Sequence, residues 1–143
     1  MPNSSRLLPI LLAAPVFILL LEVAWASGQR DSGGWRIPER AEAEANPIAV
    51  DQQVLDKGRE LYGAKCARCH GPSGRGDGSE ADPDRKPGDL TDASRASRNP
   101  DGVLFYKIWN GRSSPKMPAF SSELSRDEVW TLVHYVKTLR KQE

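Results

Sequence analysis

The sequence predicts an all-α domain placed behind an N-terminal leader and a linker. Two apolar stripes at helical spacing carry that prediction: Val54, Leu55, Gly58, Leu61 and Tyr62, and later Val129, Leu132, Val133, Val136 and Leu139. A third observation is the run that the first stripe leads into, Cys66-Ala67-Arg68-Cys69-His70. No βαβ pattern surrounds it.

The totals narrow the classes. With 143 residues, one domain plus extensions is expected. A net charge of +1 argues against a nucleic-acid binder. Charged residues at 27% and hydrophobic residues at 38% are ordinary for a soluble domain once the leader is set aside. The 2 cysteines both lie in the C-x-x-C-H run, the 2 histidines are His70 and His134, and the 2 methionines are Met1 and Met117. Metal-ligating side chains are therefore scarce.

Residues 1–26 read as a signal peptide or an N-terminal anchor. Arg6 supplies a basic start, residues 7–21 form an unbroken apolar run, and Ala24-Trp25-Ala26 offers an A-x-A-like cleavage site. The run is shorter than the roughly 20 residues a spanning helix prefers, which favours cleavage. The alternative extends the span past Glu22 and leaves a membrane tether through residues 7–26. Residues 27–50 read as a flexible linker or strap, with Ser27-Gly28 and Ser32-Gly33-Gly34 flexible and Pro38 and Pro47 breaking regular structure. A mostly exposed tether is the expectation, although Trp35 and Ile37 are apolar enough to dock, and residues 40–45 have the composition for one helical turn.

The domain proper is expected over 51–143. Asp51 is a candidate N-cap for the first helix. Gly58 lowers helix stability by about 1 kcal/mol relative to Ala, so its place on the apolar face points to another element in close approach. The helix delivers Cys66, Cys69 and His70. C-x-x-C-H is the spacing for covalent haem attachment: two thiols add to the two vinyl groups, and the following imidazole binds the iron. Zinc would need a fourth ligand, for which only His134 is on hand. A thiol redox pair would want a βαβ setting.

With this motif, the Met-bearing loop and the terminal helix, residues 54–139 resemble a class I single-haem c-type cytochrome of the bacterial, periplasmic kind. The resemblance implies a cytochrome c fold, in which the first and last helices cross around one covalently bound haem c. Leu132 and Tyr135 would then pack near Gly58 and Tyr62. It also implies export, since haem is attached on the outer side of the cytoplasmic membrane in the arrangement that this leader resembles. The glycine pattern through Gly71, Gly74, Gly76 and Gly78 is similar to that of many bacterial haem-c domains; no strand precedes it and no Lys-Ser/Thr follows, so a phosphate cradle is disfavoured. The family has a Pro carbonyl accepting from the ring N–H of the iron-bound His, which makes Pro87 the candidate supporting residue and Pro83 the fallback.

A middle helix is expected from Asn99-Pro100 to a stop at Gly111. Val103, Leu104, Phe105, Ile108 and Trp109 would wall the haem, with an indole bond to a propionate as the alternative role of Trp109. Met117 lies in a polar loop bracketed by Pro115 and Pro118, where core filler is not expected. The family carries its second axial ligand in such a loop, so the resemblance makes Met117 the sixth iron ligand. The last helix starts at a capping box, Ser125-Arg126-Asp127-Glu128, and Lys137, Arg140 and Lys141 suit its C-terminal dipole. His134 falls opposite Val129 on the helical wheel and is read as a surface residue.

The expected function is one-electron transfer in a periplasmic or membrane-associated chain, by an electron carrier rather than an enzyme. His70 and Met117 would fill both axial sites, and redox proteins would be the partners. Arg112 and Lys116 flank the Met loop and are candidates for docking an acidic one. The alternatives are a cytochrome subunit of a larger respiratory or dehydrogenase complex, and a haem catalyst or gas sensor with an open axial site. A single C-x-x-C-H excludes a di-haem peroxidase.

Overall fold

Asp51 and Ser125 start the two helices that set the architecture. In the computed structural model the Asp51 side chain accepts from the Val54 amide at 2.8 Å and opens α2, Gln52–Lys65. Ser125 and Glu128 form the reciprocal capping box that opens α6, Arg126–Thr138. The structure describes residues 29–31, 34–114 and 116–140; the leader over 1–26, Ser27-Gly28, Ser32-Gly33, Pro115 and Lys141 lie outside the described residues.

Among the described residues the fold is helical, with a short two-stranded sheet. β1 (Gln29–Asp31) and β2 (Arg36–Pro38) pair antiparallel, with Arg30 opposite Ile37. Then come α1 (Glu39–Ala43), α2, α3 (Ala67–His70), α4 (Ala93–Ala96), α5 (Asp101–Asn110) and α6. Helices α2 and α6 pack against each other at Gly58. A Cβ there would stand 2.7 Å from Tyr135 Cβ and 2.9 Å from the Thr131 carbonyl oxygen, so only a bare Cα permits this approach. One turn further, the rings of Tyr62 and Tyr135 meet at 5.3 Å. Tyr135 meets Gly58 as expected, the Thr131 backbone joins it there, and Leu132 is fully buried in the same cluster as Tyr62.

The main core gathers Leu61 and Tyr62 of α2, Leu104, Phe105 and Ile108 of α5, and Val129, Trp130, Leu132, Val133 and Val136 of α6. Phe105 stacks on Trp130 at 4.2 Å and on Trp109 at 5.6 Å. Helix α5 begins one residue later than the sequence indicates. Pro100 is its N-cap and makes no side-chain cap. The Asn99 side chain serves elsewhere, donating to the Arg95 carbonyl and accepting from Lys107.

Two expectations give way outside that core. Residues 35–48 are anchored rather than a mostly exposed tether. Trp35, Ile37 and Ala41 are buried with Val103 in a second apolar cluster, and the Asn46 amide donates to the Trp130 carbonyl at 2.9 Å. His134 is half-buried rather than on an open polar face, with Nε2 donating to the Ile48 carbonyl at 2.7 Å. The strap supplies the surroundings that a wheel drawn for one helix omits.

The close approach at Gly58 sets a directional test within α2. Gly58→Ala gains helix propensity but forces a methyl onto Thr131 backbone, and a net loss of about 1–3 kcal/mol is expected for such overpacking. Gly63→Ala, whose methyl meets nothing within 4 Å, is expected to stabilise by about 0.4–1 kcal/mol. Denaturant midpoints of the two holo variants against wild type check the opposite signs.

Candidate functional site

Helix α2 ends at Lys65, and Cys66 links it to α3 with its amide still donating to the Tyr62 carbonyl at 2.8 Å. The Cys69 and His70 amides both turn back to the Cys66 carbonyl. A helix end leaves its last four carbonyls without intrahelical partners. Here each finds one in the glycine loop. Gly71 N–H donates to Ala67 O (2.8 Å), Glu80 N–H to Arg68 O (2.7 Å), Gly78 N–H to Cys69 O (3.2 Å) and Gly76 N–H to His70 O (2.8 Å).

That closure explains the glycines. A Cβ on Gly78 would collide with the Arg68 backbone, and Gly76, at φ +78°, lies with its missing side chain against the Pro87 carbonyl. The buried Tyr62 hydroxyl adds a bond of 2.7 Å to the Gly71 carbonyl, tying α2 to the start of the loop. Burial pushes the Tyr62 pKa upward, so the hydroxyl remains a donor.

His70 is held by its backbone and left open at its ring. Nδ1 is buried and makes no hydrogen bond of good geometry. Burial lowers the ring's pKa, and the Gly88 backbone, acting as an acceptor would, opposes that shift in part. The neutral imidazole that results is the form that binds a metal. The Pro87-Gly88 segment thus backs the ring, with the Pro87 carbonyl against Gly76 and the Gly88 backbone acting on His70.

Cys66 and Cys69 are free and half-buried. Burial, then the neighbouring Cys69, push the Cys66 thiol up to about 12, with Arg68 pulling the other way. Thiol redox chemistry needs the opposite shift, toward a thiolate at neutral pH. Nor do three or more His, Cys, Asp or Glu side chains converge on a metal site among the described residues.

Met117 lies in a narrow hairpin. It exchanges both backbone hydrogen bonds with Arg112, at 2.8 and 2.9 Å. Gly111 opens the hairpin at φ +58°, where a Cβ would stand 2.5 Å from both the Ala119 nitrogen and the Met117 carbonyl oxygen. The Met117 side chain is half-buried and packs on the main core, as do Cys66, Ala67 and Leu90. It also touches the second cluster, around Trp35. The structure therefore joins the attachment helix and the Met loop through one apolar core. Lys116 is exposed, while the Arg112 guanidinium is stacked 4.7 Å over the Trp35 ring. Trp109 stacks on Phe105 and borders a groove between α1 and α5.

The cytochrome c family model matches residues 55–140. The chain belongs to the cytochrome c family. Over 92 residues, 62% of its length, it is 34% identical to FixP, a subunit of the cbb3-type cytochrome c oxidase of Azorhizobium caulinodans, and it spans 28% of that protein. A chain of the Kuenenia stuttgartiensis reducing HAO-like protein complex Kustc0457/Kustc0458 superposes with a TM-score of 0.58 at 31% identity. That match covers 66% of this chain and 47% of the other. The KustC0563 c-type cytochrome matches at a TM-score of 0.48 and 30% identity, over 59% of this chain and 98% of that one.

As a cytochrome c, the chain is a haem-binding electron-transfer protein. Its residues fit that group. Two cysteines that form no disulfide stand at attachment spacing, and beside them is a neutral, half-buried imidazole whose buried Nδ1 lacks a good hydrogen bond. Sequence reasoning passed over Trp130, whose ring and carbonyl both serve the core and strap. Its aromatic bulk next to Val129 was the available signal. Gly88 carried no signal of its own beyond adjacency to Pro87.

Tyr62→Phe is expected to cost about 1–3 kcal/mol, because it leaves the buried Gly71 carbonyl short of a donor. Guanidinium unfolding of the holo protein measures the loss, and its haem content should not change.

Proposed function

We propose that this cytochrome carries a single haem c and passes one electron at a time between redox proteins outside the cytoplasmic membrane. Cys66 and Cys69 attach the haem as thioethers, and His70 and Met117 are its axial ligands. The observation that carries the reading is the pairing of a half-buried, neutral His70 with a Met117 loop seated on the core that Cys66 also packs against.

The residues divide the work. Cys66 and Cys69 fix position, and the amides that cap the carbonyls of residues 67–70 fix orientation. Burial keeps His70 unprotonated. Leu61, Tyr62 and Phe120 exclude water from the core that Cys66 and Met117 share. When bound, the haem supplies a one-electron iron couple, and His/Met ligation holds its potential high. With Met117 in place no coordination site is left for a substrate, which supports a carrier rather than a catalyst.

The leader over 1–26 favours export, and the expected location is the periplasm or the outer face of the cytoplasmic membrane. Because FixP is an oxidase subunit, a place within a larger complex is the form of this reading that the relatives favour.

Intact mass of the natural protein tests the first part, with one added haem expected. The ferric protein should show the weak far-red band of thioether–iron ligation, and the reduced protein should resist carbon monoxide. Met117→Ala should lose the band and bind carbon monoxide readily, while Cys66→Ala with Cys69→Ala should release haem on denaturation. A wild type without the band that binds carbon monoxide rapidly would instead be a catalyst or sensor with an open axial site.

A further inference from the structure

The segment before residue 55 lies outside the family match, yet it reaches the Met loop. We propose that the strap is a positioning device for the axial methionine, with Trp35 and Arg112 as the positioning residues. This inference rests on Met117 being an iron ligand, as proposed above.

Three contacts converge on the loop. First, Met117 packs on the cluster of Trp35, Ile37, Ala41 and Val103 as well as on the main core. Second, Arg112 and Met117 are backbone partners across the hairpin, so what fixes Arg112 fixes Met117. Third, the Arg112 guanidinium lies 4.7 Å over the Trp35 ring, a cation–π contact that joins strap to loop. Trp35 is nearly buried at 9% exposure, and Ile37 beside it is at 0%.

The strap is itself anchored away from the loop. At Gly102, on the first turn of α5, a Cβ would collide with the Ala41 carbonyl and stand 2.7 Å from the Glu44 carbonyl oxygen. The α1 backbone therefore sits directly on α5, and Arg126 adds an ion pair to Glu44 at 2.8 Å. Farther on, Asn46 and Ile48 bond to Trp130 and His134 of α6. A polar loop that holds an iron ligand would otherwise be braced by its own narrow hairpin and by the main core alone. The strap supplies a second, apolar wall and restricts the arrangements in which the thioether can leave the iron.

The test measures imidazole binding to the ferric full-length holo protein, the far-red band and the reduction potential. Trp35→Ala and Arg112→Ala should each raise apparent imidazole affinity by about tenfold, the lower end of what loss of a supporting contact does at a metal site. The band should weaken and the potential fall. Trp35→Phe, which keeps a ring under Arg112, should restore most of the wild-type behaviour. Gly102→Val, which touches neither the loop nor the haem ligands, should reproduce the effect by lifting α1.

Arg112→Ala spares the buried cluster and keeps the test decisive if Trp35→Ala fails to fold. Imidazole affinity within twofold of wild type in the folded Trp35→Ala or Arg112→Ala protein, with the band intact, overturns the strap's role alone. Absence of the band from wild type overturns the axial reading, and this inference with it.

Discussion

At the end of the Cys66–His70 turn, the carbonyls of residues 67–70 point out of the helix and must find donors. The chain supplies them from Gly71, Gly76, Gly78 and Glu80. This constraint governs much of the rest. It requires a loop that doubles back tightly over the motif's own backbone, and so requires glycine at 76 and 78, where a side chain would strike Pro87 or Arg68. It draws the Pro87-Gly88 segment behind the His70 ring. The Tyr62 hydroxyl then ties the start of the loop to α2.

The Met117 loop, by contrast, rests on parts of the chain that are far apart in sequence. The Met117 hairpin has short backbone reach, and its inner face rests on two apolar clusters rather than one. The main cluster comes from the crossing of α2 and α6, made possible by the absence of a side chain at Gly58. The second comes from the strap. Stacked rings of Trp109, Phe105 and Trp130 carry packing from α5 into α6, and the carbonyl of Trp130 accepts from the strap at Asn46. The strap is therefore part of the electron-transfer unit in the physical sense, although the family match begins at residue 55.

The helices were legible because their signals are local. Asp51 and the Ser125-Glu128 capping box lie within a turn of the bonds they make. The apolar stripes name a buried face whatever covers it. The C-x-x-C-H spacing was legible because it is a pattern of five consecutive residues. The misreadings have one cause. Asn99 looked like a cap but bonds to Arg95 and Lys107, and His134 looked solvent-facing but donates to Ile48. In each case a residue distant in sequence, or a competing local bond, offered a better partner than periodicity alone reveals.

By itself, then, the sequence determined that the chain is helical, which residues begin α2 and α6, and that it carries the C-x-x-C-H spacing. These follow from backbone capping, 3.6-residue periodicity and ligand chemistry, all of which act over a few residues. Only the tertiary structure decided that Thr131 meets Gly58, that Gly88 acts on His70 and that the strap docks under the Met117 loop. Those outcomes depend on which surfaces meet across long sequence separations, and burial and close approach exist only once they have met.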